Sequence, residues 1–299
     1  MNENNSFSEE NMDRKICLIT GANSGIGKAA AIQIAQKGHR TIMACRNREK
    51  GEIALREVRE ISNSDMVELM IVDLALQSSI RDLSDVVLSK YDRLDVLILN
   101  AAIFDITQKM GIDTSEGIES IWATNHIGAV LLTELLWSVL KNSRQGRVIT
   151  IASKGLLAKP FLKVDLVDPE YKSRAFSVEN AYYQSKLAQI IFTLWLAEKG
   201  REEHITANCI RVPAVRVDVE NKYPGLPTIM KKLYALKSKS ALSPEKMAET
   251  YTYLAIADEL DNVTGTYFNE KVQPVKLPRF AQNAKNIEAV MNLTMEYLK

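Results

Sequence analysis

An alternation that persists over most of the chain constrains its fold more than any other feature. Short runs rich in β-branched and apolar residues are each followed by a longer stretch of helical periodicity. ICLIT precedes AAAIQIAQKG, RTIMAC precedes REKGEIALREVREI, and VELMIVDL precedes SSIRDLSDVVLSKY. LDVLILN, residues 117–140, GRVITIAS, residues 180–199 and ITANCIRV continue the series. Strands joined in this order by helices build a parallel sheet covered on both faces. Right-handed crossovers make it doubly wound, with ligand sites at the carboxyl ends of the strands. No repeat, low-complexity tract or interior linker interrupts the pattern, so a single α/β domain with a mostly parallel sheet is expected over residues 14–280. A polar, disordered segment is expected before it, at 1–13, and a C-terminal helix after it, at 281–299.

The 46% hydrophobic content of the 299 residues is enough for one sizeable core. A formal charge of +1 gives no electrostatic reason to expect nucleic acid or an anionic membrane as the main partner, which leaves small molecules. Cys17, Cys45 and Cys209 form no CxxC pair and lie in or near strand-like runs, so they read as reduced packing residues and not as metal ligands. The opening MNENNSFSEENMDRK lacks the apolar core of a secretory signal, and no window of about 18 continuous apolar residues exists for a membrane span. A cytoplasmic enzyme without stable membrane insertion is expected, with homodimeric or homotetrameric assembly.

Between the first strand and the first helix stands TGANSGIGK, with glycines at 21, 25 and 27. Such glycines suit any tight strand-to-helix turn. In this position they also suit a dinucleotide: Gly21 for the turn, Gly25 for backbone approach to a pyrophosphate, Gly27 for close packing, and the helix N-terminus facing the phosphates. The end of the second strand, where an NAD site usually places a carboxylate roughly 20 residues after the loop, reads ACRNR. No Asp or Glu occurs between Asp13 and Glu49, whereas Arg46 stands at the strand end with Arg48 close behind. A guanidinium neutralises and hydrogen-bonds a ribose 2′-phosphate, so NADP(H) is favoured, with Arg46 as the selecting residue. The alternative is two solvated arginines at a helix start.

Tyr182 and Lys186 form a YxxxK pair in the helical stretch NAYYQSKLAQIIFTLWLAEKG. Residues i and i+4 share a helix face, and a nearby ammonium favours phenolate, which suits the tyrosine to proton exchange with a carbonyl or alcohol oxygen. Tyr267 and Lys271 share the spacing, but in the strand-like GTYFNEKV, where i and i+4 lie about 13 Å apart. Ser153 ends GRVITIAS, the fifth strand, and either donates to a reacting oxygen or caps a turn. Asn125, in the apolar ATNHIGAVLLTELL, needs polar partners, either structural ones or an ordered water relay. His126 beside it reads as a packing residue.

Taken together, TGANSGIGKAAA, ACRNREKG, VDLA, LILNAA, NHIGAVLLT, the strand ending in Ser153, YYQSKLA, SPEKMAETYTYLA and VTGTYF resemble the short-chain dehydrogenase/reductase family. The wording is similar to its retinol-dehydrogenase-like branch, and the resemblance runs from Lys15 to about Glu270. It implies a Rossmann-type fold and a catalytic tetrad at Asn125, Ser153, Tyr182 and Lys186. It implies cofactor contacts at Gly21, Asn23, Ser24, Gly25, Ile26, Gly27, Arg46, Asp73, Leu74, Asn100, Ala101, Tyr182, Lys186 and Val215, with Asp73 in the adenine pocket. The family's NAG is here Asn100-Ala101-Ala102, and its PG pair with a following Thr is here Pro213-Ala214 and Val217. An added methyl beside the cofactor and a lost hydroxyl toward the nicotinamide amide bear on cofactor grip. The resemblance does not extend to the hydrophobic N-terminal anchor of membrane-bound retinol dehydrogenases, so it is not expected to carry their substrate with it.

Residues 154–179 and 219–240 are expected to frame the substrate pocket, the second as a mobile lid, an amphipathic surface helix or a membrane-surface contact. The expected activity is NADP(H)-dependent hydride transfer between nicotinamide and a carbonyl or alcohol of a small, apolar substrate. A catalytically silent NADP-binding sensor or scaffold on the same fold is the alternative.

Overall fold

The computed structural model describes residues 14–217 and 241–299, together with Gly225 and Thr228. The 219–240 stretch, in which a lid or surface helix was expected, lies outside the described residues apart from those two. A seven-stranded parallel sheet runs through the described chain in the order β3-β2-β1-β4-β5-β6-β7. Its strands are β1 (Ile16–Thr20), β2 (Arg40–Cys45), β3 (Val67–Ile71), β4 (Val96–Leu99), β5 (Gly146–Ser153), β6 (Ile205–Val212) and β7 (Tyr267–Phe268). Strand order reverses between β1 and β4, and that switch point opens a crevice at the carboxyl edge. The expected doubly wound, single-sheet fold is what the chain forms.

Side chains alternate across the pleat. From β1, Leu18 enters one core layer while Cys17 and Ile19 enter the other. All three cysteines are free and buried. Burial pushes the Cys45 and Cys209 thiols up to about 11, which keeps them protonated packing groups.

The second layer receives α1 (Gly25–Gln36), α2 (Arg48–Ser62) and α8 (Pro244–Ile256). The first receives α3 (Gln77–Lys90), α4 (Ser120–Trp122), α5 (Gly128–Leu135), α6 (Trp137–Lys141), α7 (Val178–Lys199) and α9 (Ala284–Glu296). Caps follow the local sequence: Asn47 Oδ1 accepts from Lys50 N–H, Ser177 Oγ from Asn180 N–H, and Ser243 Oγ from Lys246 N–H. The α7 helix is buried along most of its length, its polar residues Gln184, Ser185, Lys186, Gln189 and Thr193 included, because β5, β6 and α9 pack around it. Residues 117–140 are not one helix. They pass through a π-turn at Ala123–Ile127, and the helical path breaks again at Leu136 between α5 and α6.

Candidate functional site

At the switch point the glycine loop is fastened from both neighbouring strands. Gly21 N–H donates to Ala44 O at 2.7 Å, and the Cys45 sulfur accepts from the Ala22 and Asn23 amides. Gly21 holds φ +66°, and a Cβ there would meet the Ala101 Cα at 3.0 Å. Gly25 holds φ +55° with open space where its Cβ would stand. A Cβ on Gly27 would lie 2.5 Å from Asn100 Nδ2 and 2.6 Å from Gly21 O. Gly21 thus serves the turn, Gly25 leaves open space and Gly27 permits close packing. Ser24 caps α1 without a side-chain hydrogen bond and no acidic residue occupies the first turn, which leaves the first N–H groups open to an anion.

A cleft of about 1360 Å³ opens in front of this loop, lined by Gly21, Asn23, Ser24, Gly25, Ile26, Arg46, Asp73, Leu74, Asn100, Ala101 and Val215. Drug-sized ligands take sites of roughly 300–1,000 Å³, so a longer ligand fits here. Gly27 lies beneath the loop and is buried. At the far end Arg46 is exposed beside Lys50, which sequence reasoning overlooked, while Arg48 does not reach the cleft wall. The Asn47 cap starts α2 one residue after Arg46, and Arg46 and Lys50 are two of the four cations among the described residues that line the cleft, with Lys28 and Arg216.

Asp73 lines the cleft two residues past the end of β3. Its Oδ1 accepts from Ala75 N–H at 3.0 Å and its own N–H donates to Ser79 Oγ at 3.0 Å. The neighbouring Leu74 carbonyl would lie 2.1 Å from a Cβ on Gly128, the first residue of α5. Helix α5 can pass this close to the cleft wall only with glycine there, a constraint that nothing in the local sequence announces. Gly128→Ala is expected to destabilise the protein by about 1–3 kcal/mol or more through overpacking and to weaken nucleotide binding, both read by thermal melts with and without NADPH.

Asn100 supports the glycine loop: its Nδ2 donates to Thr20 O at 2.9 Å and Gly21 O at 3.3 Å. Ala101 N–H donates to Thr20 Oγ1 at 3.0 Å. Ala102 and Ala214, where glycine was expected, have no positive φ, so alanine brings no backbone strain at either place. Val217 is 40% exposed and lines the cleft with its methyl groups.

The cleft wall reaches Ile103, and the next residue carries it to the reacting groups: the Phe104 ring stacks on Tyr182 at 4.3 Å between centroids. Asn125, 2% exposed, pins this segment to α7. Its Oδ1 accepts from Ile103 N–H at 2.8 Å, and its Nδ2 donates to Ile103 O and Ser185 Oγ, each at 3.1 Å. The amide therefore has structural partners on both sides. His126 is fully buried and burial pushes it down to about 3, so it is neutral and a packing group, as expected.

Tyr182 is half-buried on α7, with Tyr183 edge-on to it at 5.3 Å. One turn further on, Lys186 Nζ lies 5.7 Å from the Tyr182 ring centre and donates to Ile151 O at 2.9 Å. Burial pushes this ammonium down to about 8. Ile151 lies on β5 two residues before Ser153, so this hydrogen bond brings the tyrosine face of α7 to the strand end that carries the serine. Ser153 Oγ accepts from Gly155 N–H at 3.1 Å and caps the short turn Lys154–Ala158. That bond uses an oxygen lone pair and leaves the hydroxyl hydrogen available. The turn must stay slim, because a Cβ on Gly155 would lie 2.2 Å from the Tyr183 hydroxyl.

The second YxxxK pair is not assembled. Tyr267 is buried in β7, where burial raises its pKa, whereas Lys271 is exposed beyond the strand. Among the described residues no acidic, histidine or cysteine cluster could hold a metal, and no helix is long and apolar enough to cross a membrane.

Comparison with known proteins agrees with this geometry. Residues 15–162 match the short chain dehydrogenase family. Retinol dehydrogenase 13 of Homo sapiens is 33% identical over 91% of this chain and 81% of its own length. Retinol dehydrogenase 14 of Homo sapiens is 34% identical over 90% and 82%. A solved protein from Mycobacterium paratuberculosis superposes with a TM-score of 0.70 at 28% identity, covering 94% of this chain and 92% of the other. A short chain dehydrogenase from Shigella flexneri, complexed with NADP, shares the fold with a TM-score of 0.65 at 22% identity, covering 86% and 97%.

Proposed function

Because the chain belongs to the short-chain dehydrogenase/reductase family, in its retinol-dehydrogenase-like branch, whose members are nicotinamide-dependent oxidoreductases, we propose that it is an NADP(H)-dependent carbonyl reductase or alcohol dehydrogenase for a small, apolar substrate. The observation that carries this reading is the buried Lys186 ammonium, seated on Ile151 O next to Tyr182 at the strand end that bears Ser153. The open first turn of α1, the bare Gly25 and the length of the cleft support a dinucleotide there. Asp73 and Leu74 would flank its adenine, Val215 and Ala101 its nicotinamide end.

A nicotinamide bound in this cleft would supply or accept the hydride. In carbonyl reduction Tyr182 holds a proton at its phenol oxygen and releases it to the substrate oxygen. Ser153 donates its free hydroxyl hydrogen to the same oxygen and orients it. Lys186 keeps positive charge near the phenol while it becomes phenolate. Asn125 holds the Ile103–Phe104 segment against α7, and Phe104 gives the pocket an apolar wall over the tyrosine. The enzyme we propose is cytoplasmic and homo-oligomeric.

The test is turnover of a carbonyl panel with NADPH. Tight NADPH binding with no turnover of any carbonyl or alcohol would replace this reading with a nucleotide-sensing role. For cofactor choice, NADPH is expected to bind at least about tenfold more tightly than NADH, equivalent to ~1.4 kcal/mol, and Arg46→Asp to erase or reverse the preference. Superimposable titrations of the two cofactors with the parent protein would remove the role given to Arg46.

A further inference from the structure

The π-turn that carries Asn125 is stapled to the rest of the protein at its next residue. A turn of this width within a helix often marks a functional site, and here His126 anchors it in three directions. Its ring packs on Trp122 at 4.6 Å, its Nε2 lies 2.8 Å from Thr294 Oγ1 on α9, and its Nδ1 lies 3.4 Å from Gln189 Nε2 on α7. Thr294 Oγ1 donates its own hydrogen to Val290 O at 2.7 Å. The threonine oxygen must therefore accept from His126 Nε2–H, and Nδ1 accepts from the Gln189 amide, which fixes one tautomer. His126 and Thr294 are both fully buried, so bulk solvent reaches neither partner.

This chain of hydrogen bonds ends on the catalytic helix. Ser185, which accepts from Asn125, and Gln189, which donates to His126, are one turn apart on α7, on the side that also carries Tyr182 and Lys186. The π-turn is thus held to α7 at two successive levels, and α9 closes the outer one. We propose that Thr294 of the C-terminal helix is a positioning residue for the reaction: through His126 it sets the π-turn, and with it Asn125 and the Ile103–Phe104 wall, against Tyr182. The inference rests on the roles given above to Tyr182 and Asn125.

Parent, Thr294→Val, Thr294→Ser and Gln189→Leu proteins are compared by carbonyl turnover with NADPH, NADPH titration and hydrogen exchange. Thr294→Val keeps the side-chain shape but removes the acceptor. It is expected to lower kcat about tenfold, within the range that mutations along a coupling network produce, with NADPH affinity unchanged, and Thr294→Ser to restore the rate. A folded Thr294→Val protein with parental kcat overturns the proposal even if it melts earlier, because the link would then serve stability alone. Should Thr294→Val fail to fold, Gln189→Leu breaks the same chain from the α7 side and is judged by the same criterion. If the parent turns over no carbonyl, the proposed activity fails separately. The link is then read by exchange: Thr294→Val must speed exchange of the amides at 101–104 and 123–127, and unchanged exchange overturns it.

Discussion

Tyr182→Phe lowers carbonyl turnover by ~10²–10⁴-fold, the range that a positioned general acid or base contributes, while NADPH affinity stays close to that of the parent. The ring remains to stack on Phe104, so the pocket wall survives while the phenol hydroxyl is lost. Tyr267→Phe leaves turnover nearly unchanged. Its hydroxyl is buried without a hydrogen-bond partner among the described residues, so its removal costs the fold little, and burial holds the phenol protonated. Steady-state kinetics on the two variants, with melts to show that both are folded, decide the matter. Equal losses in both, or an active Tyr182→Phe protein, would move the acid/base role away from α7.

The contrast between these two tyrosines shows what the sequence could and could not reveal. Period and context were enough to separate them: NAYYQSKLAQII reads as a helix that brings i and i+4 together, and GTYFNEKV does not. Strand boundaries were legible where apolar runs are buried on both faces, as in β2, β5 and β6. The tight turn at the three glycines was legible because a strand-to-helix turn admits few backbone paths. Long-range requirements were not. Gly128 looks like an ordinary helical glycine until the Leu74 carbonyl lies across it, and Thr294 is one polar residue in a terminal helix until His126 reaches it. The π-turn escaped for a related reason: its ATNHIG sequence has helical periodicity, and its widening is stabilised by Asn125 and His126 contacts with residues more than twenty positions away. Lys50 was missed because only the Asn47 cap, seen in three dimensions, turns it toward the cleft beside Arg46.

Lys186→Met separates what the lysine does for catalysis from what it costs the fold. The ammonium is buried, and its pKa falls from 10.5 to about 8 because burial disfavours the charged form. That fall corresponds to roughly 3 kcal/mol against the charged side chain, before the lost hydrogen bond to Ile151 O is counted. A lysine pKa depressed in the folded state means that the unfolded chain binds the proton more tightly. The penalty is therefore fully present below about pH 8 and is relieved as pH rises toward 10.5. At neutral pH the apo Lys186→Met protein is expected to melt at the parental temperature or above it, and the difference is expected to shrink in alkaline buffer. Catalysis should move the other way. In the parent, alcohol oxidation rises with pH as Tyr182 becomes the base, and carbonyl reduction is favoured at lower pH, where the phenol keeps its proton. Without the ammonium the phenolate loses its nearest compensating charge, so the oxidation profile of Lys186→Met shifts to higher pH or activity disappears. A stable Lys186→Met enzyme with the parental rate and pH profile would require another acid/base. One that is both inactive and much less stable would mean that the lysine serves chiefly to hold α7 on β5.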